Sequence, residues 1–147
     1  MPRIVLAMLL LVLGATPGVA SASLESFLSS VNVQAQADLP GFHAKVSAQF
    51  GVPIPQVEAV LAVVATPADA FMVFELGRMS HRPPEVVVQT YKSHKGKGWG
   101  VIAKELGIKP GSKEFHALKN GDLVYGDTPA ASSGKGKGKG KGKGHDK

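Results

Sequence analysis

Cysteine is absent from this chain, and aromatic residues are few: one Trp, two Tyr and six Phe in 147 positions. Without Cys there is no disulfide, no thioether-bound haem and no thiolate metal site. The fold must therefore be held by packing alone. Recognisable reaction motifs are missing as well. No GxSxG, HExxH or DxDxDG pattern occurs, and the glycines match neither a Walker nor a dinucleotide-binding spacing. No two of His43, His81, His94, His116 and His145 stand four residues apart, the spacing that places two imidazoles on one helical face. Beyond the first fifteen residues no apolar run is long enough to cross a membrane.

What is present begins with MPRIVLAMLLLVLGATPGVASAS. Arg3 supplies a positive start, residues 4–15 form an apolar run too short for a comfortable bilayer span, and Ala20-Ser21-Ala22 offers a small-x-small processing site. This is the anatomy of a secretory signal peptide over residues 1–22. It predicts a secreted or periplasmic mature chain of about 125 residues starting near Ser23. The absence of Cys at the processing point excludes a lipid anchor there.

Charge is unevenly distributed. The formal net charge is +6, yet residues 23–134 carry ten Lys or Arg against ten Asp or Glu. The excess sits in the tail: from Lys135 onward there are six Lys and one Asp. Within the neutral body, residues 23–90 hold three basic and six acidic side chains, whereas 91–119 hold seven basic and two acidic. A basic C-terminal third thus leads into a basic tail.

Apolar spacing predicts helix throughout the body. Leu24, Phe27, Leu28, Val31 and Ala35 follow the i, i+3, i+4, i+7 pattern, and Leu39, Phe42, Val46 and Phe50 continue it after the N-cap candidate Asp38. Val57, Val60, Leu61 and Val64 make a third stripe. In TPADAFMVFELG, Thr66 can cap and Pro67 suits the first helical position, while the apolar residues from Phe71 to Met79 point nearly all round. A helix of that kind belongs at the centre of a bundle, and its Met and Phe side chains read as core rather than as a cofactor box. Pro84 opens the next helix. Its Val86-Val87-Val88 triplet also suits a strand, but no partner strand is evident, so helix is preferred. Trp99, Ile102, Ala103 and Leu106 define a further helix, and Ser112, Phe115 and Leu118 a last one. The expected architecture is all-α: a single compact domain of six or seven short helices over 23–126, followed by a disordered Gly/Lys tail over 127–147.

Two segments invite sharper readings. WGVIAKELGIKPGSKEFHALK (99–119) has the outline of a helix-turn-helix, but the usual register puts Lys113 and His116 at buried positions, where Phe115 and Leu118 are the apolar choices. Its turn is also about two residues too long. A hairpin used for packing is the preferred reading, and a divergent helix-turn-helix nucleic-acid binder is an alternative. YKSHKGKGWG (91–100) groups Lys92, Lys95 and Lys97 with His94, Tyr91 and Trp99. Lysines on glycine backbone beside aromatics suit phosphate, sulfate or a glycan, whereas a solvated connection with Trp99 as a core anchor is the plainer reading.

The blocks TPADAFMVFELG and GKGWGVIAKELGIKPGSKEFHALKNG resemble a family of small exported bacterial helical proteins of uncharacterised function, several ending in Gly-Lys repeats. The resemblance spans most of the mature chain and implies no reaction and no site residue.

The functional expectation is an exported, non-enzymatic helical module. Its lysine line, Lys135, Lys137, Lys139, Lys141 and Lys143, with Lys92, Lys95 and Lys97 on the loop, would bind polyanions nonspecifically: envelope polysaccharide, anionic lipid or extracellular DNA. A solubilising tail with no partner competes with that reading. A small periplasmic enzyme or metal-binding protein built from the dispersed His residues is another alternative, although no catalytic residue, metal ligand or cofactor is assigned.

Overall fold

The computed structural model describes residues 23–126. The expected signal peptide and the tail lysines Lys135–Lys143 lie outside the described residues. Those residues form seven helices and no strand: α1 Leu24–Ala37, α2 Leu39–Phe50, α3 Ile54–Leu61, α4 Pro67–Ser80, α5 Pro84–Ser93, α6 Trp99–Glu105 and α7 Lys113–Asn120. The all-α expectation holds. The β-branched triplet Val86–Val88 lies inside α5, where Val87 is fully buried.

Local chemistry sets the boundaries. Asp38 alone separates α1 from α2, and its Oδ1 accepts a hydrogen bond from the Gly41 N–H at 2.9 Å. Thr66 caps α4 by accepting from the Asp69 N–H at 3.2 Å. A second N–H of the same helix end without a partner inside the helix, that of Ala68, donates to Asn32 Oδ1 of α1 at 2.8 Å. One neighbouring helix thus fixes the start of the next. Ser112 caps α7 in the same way, accepting from the Phe115 N–H at 3.2 Å.

Helix α4 is the axis of the molecule. Every residue from Ala70 to Gly77 is buried, and α1, α2, α3 and α5 all pack on it. Phe71 is fully buried between Phe27, Phe50 and Tyr125, with ring centroids 5.4, 5.6 and 5.9 Å away. Burial of one such side chain stabilises by about 1.5–3 kcal/mol, and ring pairs add about 0.5–1.5 kcal/mol each. From α5 the chain steps outward through α6 to α7, and α7 returns to α1.

The segment after α7 is tied back to the body. Gln49 on α2 donates to the Val124 carbonyl at 2.7 Å and accepts from the Gly126 N–H at 2.8 Å. Tyr125 lies under the Lys45 ammonium, 5.3 Å from the ring centroid. Residue 126 is therefore held beside α2.

Candidate functional site

The basic loop predicted from sequence is the connection between α5 and α6. Helix α5 ends at Ser93, and the His94 N–H donates to the Thr90 carbonyl at 3.0 Å. His94 Nδ1 lies 3.0 Å from that same carbonyl, a contact that needs a hydrogen on Nδ1, and its Nε2 faces Glu105 Oε1 at 3.9 Å. The loop then turns through Gly96 and Gly98, both at φ +85°. Gly98 combines that φ with ψ 160°, a region that is essentially glycine's alone, and it delivers Trp99 to the first position of α6.

Trp99 is 9% exposed and stacks on Tyr91, with centroids 5.3 Å apart and planes 24° from parallel. The indole is a core anchor. Tyr91 Oη donates to Asp69 Oδ2 at 3.3 Å. Partial burial, followed by the nearby Asp69 charge, pushes the Tyr91 hydroxyl above its ordinary pKa, which keeps it protonated and donating. Between these groups lies an open cleft of about 300 Å³, walled by Tyr91, His94, Lys95 and Trp99.

Of the lysines, Lys95 lines this cleft; Lys92 in the last turn of α5, Lys97 on the connection and Lys104, Lys109, Lys113 and Lys119 on α6, α7 and the connection between them are exposed as well. No carboxylate among the described residues holds any of these seven ammonium groups in an ion pair.

The helix-turn-helix outline departs from the usual geometry. Seven residues separate Glu105 from Lys113, twice the length of the usual turn. Phe115 and Leu118 are buried, whereas Lys113 and His116 are exposed. The histidines stay dispersed. His43 pairs with Glu58 at 3.5 Å, His81 ends α4, His94 ends α5 and His116 rides on α7. Among the described residues no three His, Asp or Glu side chains gather closely enough to hold a metal ion.

Sequence reasoning missed a second basic feature, at the end of α4. Glu75 is a carboxylate 3% exposed in the apolar run FMVFELG. It receives both Nε and Nη2 of Arg78, one turn on. Those hydrogen bonds, ahead of any other influence, raise the guanidinium pKa above its ordinary value. The signal was available, because a single acid inside an otherwise apolar helix needs a partner, and Arg at i+3 supplies one.

Comparison of the chain with protein-family models, with curated proteins and with solved structures returned no match.

Proposed function

We propose that this protein is an exported, non-enzymatic helical module that binds polyanions outside the cytoplasm. The lysine line of its tail and the loop lysines Lys92, Lys95 and Lys97 carry the interaction. The processing pattern of residues 1–22 and the resemblance to small exported bacterial proteins support the compartment. The observation that carries the binding role is the state of the body's lysines: seven between 91 and 119, exposed, against only two acids in that span. Point charges on an unconstrained surface neutralise phosphate or sulfate without reading sequence or sugar identity, and an alternating Gly-Lys tail extends the same chemistry.

Binding of duplex DNA and of an acidic polysaccharide by the full chain, by a variant ending at Ser133 and by a Lys92→Gln, Lys95→Gln, Lys97→Gln triple variant tests the reading. Each change should weaken binding to both polyanions, with the tail deletion the more severe. Equal binding by all three proteins, or binding to one polyanion alone, contradicts it.

A further inference from the structure

The end of α4 carries a groove whose construction differs from that of the lysine surface. Its volume is about 540 Å³, within the roughly 300–1,000 Å³ range of small-molecule sites. Phe50 and Phe74 form its floor, stacked with centroids 5.8 Å apart and planes 27° from parallel, and Val52 extends that apolar surface. Arg78, His81 and Arg82 line it, with no carboxylate among the lining residues. An apolar floor beneath a cationic rim is complementary to a ligand with an anionic head and an apolar body.

Two features of the backbone and core bear on the rim. The first is the Glu75–Arg78 pair. Burying a carboxylate is costly, and here its partner is 61% exposed at the side chain rather than buried with it. Glu75 engages Nε and Nη2, so the guanidinium is fixed at the groove while its remaining N–H donors stay available.

The second is His81. It occupies the left-handed position that ends α4, at φ 55°, where glycine is the ordinary residue, and it is the single non-glycine residue at positive φ among those described. Histidine tolerates that conformation better than most side chains, yet glycine would relieve it. The Arg82 N–H closes the turn on the Gly77 carbonyl at 3.0 Å, and a Cβ at Gly77 would come within 2.9 Å of the Arg82 carbonyl. The tight turn thus places two successive basic side chains, His81 and Arg82, beside the Glu75-held Arg78.

We infer that this groove binds a small amphipathic anion, a carboxylate or phosphate head on an aliphatic or aromatic body, with the head on Arg78, His81 and Arg82 and the body over Phe50 and Phe74. The groove shares no lining residue with the cleft beside Trp99, and the inference does not depend on the polyanion reading.

The test is calorimetric titration of the full-length protein with octanoate, with acetate and octanol as the two halves of that probe. Octanoate should bind with one site per chain, and each half should bind at least about tenfold more weakly, because head and body contacts are both needed. Arg82→Ala should weaken octanoate binding about tenfold. His81→Gly should weaken binding while raising the melting temperature by several degrees, a combination that loss of fold cannot produce. In a second arm, vesicles containing phosphatidylglycerol are offered to the wild type and to Arg82→Ala, both with intact tails. If octanoate fails but vesicle binding still drops in Arg82→Ala, the same chemistry is presented at a lipid surface. If neither probe distinguishes the wild type from Arg82→Ala and His81→Gly, or if acetate binds as tightly as octanoate, the inference is overturned.

Discussion

The stretch 92–98 and the corner at 78–82 carry charge of the same sign and are built in opposite ways. Along this stretch Lys92 rides on the last turn of α5, Lys95 and Lys97 lie beside Gly96 and Gly98, none of the three is ion-paired among the described residues, and the neighbouring aromatic pair packs against the core. At the corner, a buried acid orients an arginine, and a tight left-handed turn presents the next two basic residues over an aromatic floor. Unheld lysines supply potential, which is tolerant of partner and strongly dependent on salt. A held guanidinium supplies geometry, which selects shape as well as charge. Net charge alone would have scored the two regions alike.

Substitution should separate them by size of effect. Arg78→Ala leaves the Glu75 carboxylate buried without its charge-assisted hydrogen bonds and should cost about 2–3 kcal/mol in denaturant unfolding. The triple variant Lys92→Gln, Lys95→Gln, Lys97→Gln should stay within about 0.5 kcal/mol of the wild type, since those side chains are exposed and form no ion pair among the described residues. Similar losses for the two would erase the distinction drawn between them.

Backbone substitutions sharpen the contrast with opposite signs. Gly98→Ala forces a side chain into a glycine-only conformation and should destabilise by about 1–3 kcal/mol, with Trp99 fluorescence reporting disturbance of its stack on Tyr91. His81→Gly removes a left-handed non-glycine residue and should stabilise by about 1 kcal/mol. Thermal melts of the two variants side by side check both signs.

A smaller effect lies in alkaline solution. Burial is the leading cause that raises the hydroxyls of Tyr91 and Tyr125 above 10.0, with Asp69 and Asp38 adding to it. The folded state therefore holds these protons more tightly than the unfolded chain does. Its advantage is complete below the ordinary tyrosine pKa and is lost as pH rises through the folded values. Unfolding free energy should fall from about pH 9 upward, and the fall should be shallower in a Tyr91→Phe, Tyr125→Phe double variant.

Much of the fold was legible because its determinants are local. The caps at Asp38 and Thr66, the Pro67 start and the all-round apolar character of α4 each follow from neighbours a few residues away. The Asn32 cap on α4 and the Gln49 clamp on the last described segment join residues 36 to 77 positions apart and left no such trace. The loop lysines were legible as a charge run. The groove was not, because its floor comes from α2 and α4 and its rim from the end of α4 and the turn after it, and only folding brings Phe50 beside Phe74.

The claim that lysines on the loop and tail bind polyanions by charge alone is tested most directly by the salt dependence of duplex DNA binding. For the full chain, the logarithm of the binding constant should fall linearly with the logarithm of salt concentration. Removal of residues 134–147, which carry five of the assigned lysines, should make that slope shallower by roughly 4 to 5, at about 0.9 per phosphate neutralised. The thermal transition of the body should not move. An unchanged slope after the deletion, or DNA binding by the full chain that does not respond to salt, contradicts the account.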